Sequence, residues 1–215
     1  MLKQFKSTSL ADQVFDRLEN DIIQGVYAKG EILTELKLVE QLGVSRTPIR
    51  EALRRLEQER LIQDCPKGSL VLGITLEDLE DIMNIRQRIE GLAAYYATKH
   101  LTAETAEKFK QISDLQDFYY SKKDMDRLRE MDDAFHEAIY ELSGRTVIRD
   151  TLQPLHHKTQ RYRRISMADP NRVSATLREH KAMCAAILSG NAELAAELTE
   201  QHIENAKIHM MAGCK

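Results

Sequence analysis

Between residues 10 and 62 the apolar positions recur at helical spacing, and the gaps between them fall at residues that stop helices. Val14, Leu18 and Ile22 mark an amphipathic helix opened by Ser9-Leu10 and closed near Gly25. Leu36, Leu38, Val39 and Leu42 give a second helix an apolar side, and Gly43 breaks it. A third opens at Ser45, whose hydroxyl can cap it by accepting from a free N–H. Pro48 falls in its first turn, where a missing N–H costs little. At about 100° per residue, Ile49, Ala52, Leu53 and Leu56 share one arc, while Arg46, Thr47, Arg50 and Arg54 share another. The pattern then changes. Leu61-Ile62, the stretch Asp64-Cys65-Pro66-Lys67-Gly68, and Leu70-Val71-Leu72 predict a strand, a turn and a strand.

Past a short hinge at Gly73-Ile74 the helical spacing returns and stays. Thr75-Leu76-Glu77-Asp78 has the form of a cap and acidic first turn. It starts a helix carrying Leu79, Ile82, Ile85, Ile89, Leu92 and Ala93. Further helices are predicted at about 103–119, 124–142, 146–167, 172–188 and 191–210, with breaks at Ser143-Gly144, Asp169-Pro170-Asn171 and Ser189-Gly190-Asn191. The fold expected is therefore mainly α. A winged helix-turn-helix with a small β wing occupies residues 1–73, and an all-α six-helix bundle occupies 74–215.

The second and third helices form a helix, a glycine turn and a helix whose outward face carries arginine. A guanidinium fork fits guanine O6/N7 or a phosphate, and a threonine methyl or hydroxyl suits thymine or a phosphate. Surface arginines are common, and taken alone Arg46, Arg50 and Arg54 read equally as a solvated face. The helix-turn-helix context and the wing after it favour a helix read out in the DNA major groove. Lys67 and Gly68 would set the wing tip against the backbone or minor groove.

Charge adds a restriction. The 215 residues carry a formal net charge of −3, and residues 1–73 hold 11 Lys+Arg against 11 Asp+Glu. A non-specific nucleic-acid binder is usually basic overall. DNA binding here rests on local arrangement, and a helix-turn-helix reader needs a homodimer facing two half-sites of a palindromic operator. Cys65, Cys184 and Cys214 are odd in number and lack metal spacing, which suits a reducing cytoplasm. No stretch is apolar enough for a signal peptide or a membrane span.

In the helical half the ionisable residues align. Asp132 and His136 are four apart and share a helix face. His180 lies ten residues before Gly190 and His202 twelve after it, which in an antiparallel hairpin sets them within roughly 3 Å of one level. One Asp and three His suit Zn, Ni, Mn or Fe and leave positions open for water or a ligand. An Asp-x-x-x-His pair also arises as a simple hydrogen bond or on an exposed face, so geometry alone leaves both readings open. Arg86 and Glu90, four apart, read from spacing as a surface i,i+4 ion pair. Arg161, Tyr162 and Arg164 could line a pocket, but the RYRR run reads more readily as a solvated face; His156, His157 and His209 do not join the metal pattern and read as surface residues or as supports behind the ligands, and Met210-Met211 as a frayed helix end.

The run GVSRTPIREALRRLEQERLI, with the wing glycine and an upstream amphipathic helix, resembles the winged-helix domain of the GntR family of bacterial transcription regulators over roughly residues 8–73. The resemblance implies base or phosphate contacts at Arg46, Thr47 and Arg50, and a wing tip at Gly68. Leu36 stands where some members have arginine, and Lys29 where proline is usual. The segments IRQRIEGLAAYYA, MDDAFHEAIYELSG and EHKAMCAAILSGNAELAAELTEQHI resemble the FadR-like effector (FCD) domain over residues 78–210. Many such domains bind a divalent metal through positions that match Asp132, His136, His180 and His202. Arg86 and Glu90, with Ile89, match the family's R-x-x-[LI]-E pattern, which implies a buried guanidinium that holds a carboxylate effector beside the metal with Glu90 orienting it, and six helices suggest the VanR-like subgroup. Two functions follow. One is a repressor or activator that reads DNA and responds to a small carboxylate effector at a metal (Zn, Ni or Mn). The other is a metal-dependent enzyme using the Asp/His₃ site, against which stand the absence of H-E-x-x-H, of a di-iron E-x-x-H pair and of a phosphate loop. The DNA reader makes regulation the economical expectation, and catalysis is not expected.

Overall fold

The computed structural model describes residues 9–213, so Cys214 lies outside the described residues. The chain divides into two compact units, with the boundary between Thr75 and Leu76. In the first unit, α1 (Leu10–Ile23) starts at a capping box. Ser9 Oγ accepts from the Asp12 N–H while the Asp12 carboxylate accepts from the Ser9 N–H. α2 (Glu35–Leu42) is capped by Thr34 and ends at Gly43, whose φ of 66° suits glycine at a helix end. α3 (Arg46–Gln58) follows after two residues. Its apolar arc of Ile49, Ala52, Leu53 and Leu56 is buried with Val14, Phe15, Leu18 and Ile22 of α1 in one core. Arg55 lies over the Phe15 ring at 3.9 Å and donates to Asp12 at 2.7 Å, which ties α3 back to the start of α1.

Three local expectations change. Ser45 occupies the cap position of α3 with extended backbone, but its hydroxyl makes no capping bond. Leu36 is 58% exposed, and among the second-helix residues the core takes Leu38, with Val39 and Leu42 at its edge. The wing also has a third strand. β2 (Ile62–Cys65) and β3 (Gly68–Val71) pair antiparallel, and β1 (Ile32–Leu33) adds to the other side of β3. A two-residue strand carries no alternation to read, and it forms because Ile32 and Leu33 lie opposite Leu70 and Ser69. This pairing fixes Gly68. Its φ is 135°, and a Cβ there would sit 2.3 Å from the Leu33 carbonyl oxygen.

The second unit is built of α4 (Leu76–His100), α5 (Ala103–Lys122), α6 (Met125–Leu142), α7 (Thr146–Lys158), α8 (Gln160–Ser166), α9 (Pro170–Leu188) and α10 (Ala192–Ala212). Seven helices replace the expected six because the run 146–167 is divided at Thr159. There the N–H bonds three residues back to His156 O, and the Thr159 hydroxyl donates to the same carbonyl at 2.8 Å. The helix count that suggested the VanR-like subgroup is thereby lost. Ala93, Ala97, Phe109, Phe135, Ile139, Tyr140, Met183 and Ile187 share the core. α4 and α10 pack closely: a Cβ on Gly91 would meet the Glu200 side chain at 2.6 Å.

The phase of α4 differs from its apolar pattern. Ile85 and Leu92 are each 45% exposed, while Leu79, Met83, Arg86, Glu90, Ala93 and Ala97 face inward. A charged pair stands where an aliphatic stripe was expected. Met210 is buried as well, so α10 is held to its end rather than frayed.

Candidate functional site

On the first unit, Arg46, Thr47, Arg50 and Arg54 are exposed on the side of α3 opposite its core arc. Arg50 Nε donates to Glu35 Oε1 at 2.7 Å, joining the two helices across the turn. That hydrogen bond holds the Glu35 carboxyl below its ordinary range and raises Arg50. Lys67 is exposed in the turn between β2 and β3, and Gly68 opens β3. A cleft of about 180 Å³ runs between α3 and the sheet, lined among others by Glu35, Arg50, Arg54, Asp64 and Ser69. The arrangement can set exposed cations against a phosphate-lined groove while the core arc holds the helix rigid. Ser45 is exposed at the head of the same helix.

In the second unit, α6, α9 and α10 carry His136, His180 and His202 to one point. Each offers a ring nitrogen, and these three nitrogens lie within 4.8 Å of one another. All three residues are buried. His180 Nε2 and His202 Nε2 face each other at 3.3 Å. Their outer nitrogens are occupied: His136 Nδ1 donates to Glu90 Oε2 at 2.9 Å, and His202 Nδ1 to Glu179 Oε2 at 2.7 Å. His180 Nδ1 sits 3.0 Å from the Gln116 amide nitrogen and 3.2 Å from its oxygen, while its ring stacks on Phe135 at 4.2 Å. A carboxylate only accepts, so His136 and His202 each carry a proton on Nδ1, which leaves Nε2 as the ring atom on the inner side. Burial pushes His180 and His202 below the ordinary histidine range, which keeps them neutral. Three converging imidazoles, two with outer nitrogens held by carboxylates and His180 held by the Gln116 amide, make a donor set that suits a divalent metal.

Asp132, one helical turn before His136, reaches the same place, with Oδ1 3.8 Å from His180 Nε2. Its other oxygen accepts from Arg163 Nη2. Burial opposes the charge on Asp132, and the Arg163 guanidinium together with His180, His136 and His202 outweighs it, holding the carboxyl well below its ordinary range. Arg163 also donates to Asp133 at 2.6 Å. It is the one buried arginine of the RYRR run, whose neighbours Arg161 and Arg164 are exposed. Sequence reasoning passed over it, although Arg163 is four residues after Thr159 and seven after His156, a stripe of helical spacing.

His156 belongs to the site too. It is buried, with Nε2 3.0 Å from Asp133 Oδ1 and Nδ1 3.0 Å from Arg86 Nη2. Glu90, His136 and His156 form a second group with ligand atoms within 4.8 Å. Arg86 and Glu90 are a buried pair, not a surface one: Arg86 Nε donates to Glu90 Oε1 at 2.6 Å and Nη1 to Thr159 Oγ1 at 2.9 Å. Burial works against the Glu90 charge, but Arg86 and His136 keep its carboxyl well below the usual range. Glu179 falls to about 2, since the bonds from His202 and Arg172 outweigh the opposing effect of burial. A cavity of about 30 Å³ opens onto Arg86, Asp132, His136, Arg163, Arg172 and His202. That admits an ion and a water or two.

A family model of the FCD domain matches residues 81–205, and the model of bacterial regulatory proteins of the gntR family matches residues 10–71. The chain is 30% identical to the Uxu operon regulator of Haemophilus influenzae, over 90% of this chain and 79% of that protein. It is 28% identical to the HTH-type transcriptional repressor RspR of Escherichia coli, over 89% and 85%. Among solved structures, E. coli McbR/YncC is similar with a TM-score of 0.79 at 22% identity, covering 97% of this chain and 100% of that one, which speaks for a common fold.

Proposed function

Starting from a chain that belongs to the GntR family of bacterial regulatory proteins and carries an FCD domain, we propose that its affinity for an operator is set by a small carboxylate bound at a divalent metal in the helical unit. Membership makes the chain a DNA-binding transcription regulator and not an enzyme. The finer reading rests above all on one observation: three buried imidazoles converge while partners on the far side of each ring hold the outer nitrogens. Asp132, His136, His180 and His202 would hold the ion, with Zn, Ni and Mn each suited to the donor set. The metal supplies a Lewis-acidic position for one carboxylate oxygen. Asp132 would turn from Arg163 toward the ion, freeing that guanidinium beside Arg86 for the effector. Glu90 orients both Arg86 and His136.

At the DNA end, Arg46, Thr47, Arg50 and Arg54 of α3 read base edges and phosphates, with Ser45 at its head and Lys67 and Gly68 at the wing. The protein acts as a cytoplasmic homodimer on a palindromic operator whose half-sites lie about one helical turn apart. Relatives named as repressors favour repression. No helix among the described residues is long and apolar enough to cross a membrane. The test is metal content after purification without chelator. Near-stoichiometric metal in the wild type, lost when His180→Ala is combined with His202→Ala, is expected. Equal content in the double variant would remove the assignment.

A further inference from the structure

A second, larger cavity lies away from the histidines. It measures about 510 Å³, within the range of sites that take small organic molecules. The end of α5, the start of α6 and the corner between α8 and α9 line it with Tyr120, Met125, Met167 and Val173 on the apolar side and Lys123 and Arg129 on the polar side. Met167 and Val173 are buried, and beneath them they pack with Leu128 and Leu177, so the apolar wall is part of a core. No acidic residue among the described residues lines the cavity.

Arg129 is the informative group. Nη1 pairs with the exposed Asp126, but Nε is buried and has no hydrogen-bond partner among the described residues. A buried donor of this kind calls for an acceptor. Met167 also borders the small cavity at Asp132 and His202, so it forms a shared wall between the two spaces.

We propose that this cavity is a second ligand site, taking a monoanion with a short apolar tail. The carboxylate pairs with the Arg129 guanidinium, which turns its unpartnered Nε–H side toward it, with Lys123 beside it, and the tail lies over Met125, Met167 and Val173. Both halves of the ligand are required. The apolar wall offers nothing to a bare anion, and the unpartnered donor offers nothing to a bare hydrocarbon. The site needs neither the metal nor the histidines.

The test uses the full chain after treatment with chelator and calorimetric titration with octanoate, acetate and octan-1-ol. Octanoate binds, and acetate and octan-1-ol each bind about tenfold more weakly or worse. Arg129→Gln brings octanoate down to the level of octan-1-ol. Ala168→Trp, which fills the cavity from its rim, abolishes binding, with thermal melting to verify that the variant folds. Should it fail to fold, Arg129→Gln decides. The variant combining His180→Ala with His202→Ala keeps the wild-type octanoate affinity. Absence of octanoate binding, or affinity unchanged by Arg129→Gln, would overturn the proposal. Loss of binding in the histidine variant would place the ligand at the other site and overturn it equally.

Discussion

Two arginine–carboxylate pairs, one in each unit, have similar chemistry and opposite settings. Arg50 and Glu35 have side chains 63% and 35% exposed, whereas those of Arg163 and Asp132 are 9% and 7% exposed. An exposed pair is screened by water and worth about 0–1 kcal/mol, so it can be exchanged for another partner at little cost. A buried pair stabilises less than its Coulomb attraction suggests, but removing one half strands the other without water. The first is a contact that DNA can replace. The second can be opened only by something that compensates Asp132, which is what an ion held by three imidazoles would do.

The largest expected effect therefore lies in the bundle. In chelator-treated protein, Arg163→Ala lowers the unfolding free energy by about 3–5 kcal/mol, because Asp132 is left buried and unpaired. Denaturant midpoints at constant slope measure it. Replacing both residues, with Asp132→Leu and Arg163→Met together, recovers most of the loss. A single variant as stable as wild type would mean that the pair is solvated.

The exposed pair responds the other way. Arg50→Ala leaves stability within about 0.5 kcal/mol of wild type. It lowers operator affinity by about 1–3 kcal/mol, roughly five- to 150-fold. Electrophoretic shifts on an operator selected from random DNA read the change, and unchanged specific binding would remove α3 as the reading helix. Glu35→Gln has the smallest effect. It releases Arg50 from a bond worth about 0.2–1 kcal/mol, so operator affinity moves less than about fivefold while binding to random DNA rises. A loss as severe as that of Arg50→Ala would make Glu35 an essential positioning group.

The same contrast explains what could be read from the chain. In the first unit the interior is apolar, and helical spacing located the buried arc of α3 and the exposed arginines opposite it. β1 escaped because two residues show no alternation, and its existence depends on β3 far along the chain. In the second unit the positions of the helices were legible, and His180 and His202 meet as their levels along the hairpin require, with His136 of α6 beside them. The faces were not legible, because hydrophobic spacing assumes an apolar interior. Where the interior is polar, as at Arg86, Glu90, His156, Thr159 and Arg163, the pattern points the wrong stripe inward. Ile85 and Leu92 were counted on the apolar pattern of their helix for that reason, and the RYRR run was read as a solvated face. Asp132 lies near the histidines as its spacing from His136 suggests, but its bond to Arg163 joins two helices 31 residues apart and shows in the spacing of neither.

The central claim is that the buried centre governs the exposed one, and the most direct measurement is operator affinity in chelated and metal-loaded protein, with and without a stabilising carboxylate. The wild type is expected to change its affinity by about fivefold or more between the empty and the fully liganded state. The variant with His180→Ala and His202→Ala should bind the operator with one affinity throughout. Equal operator affinity of the wild type in every state, with metal demonstrably bound, would contradict the account.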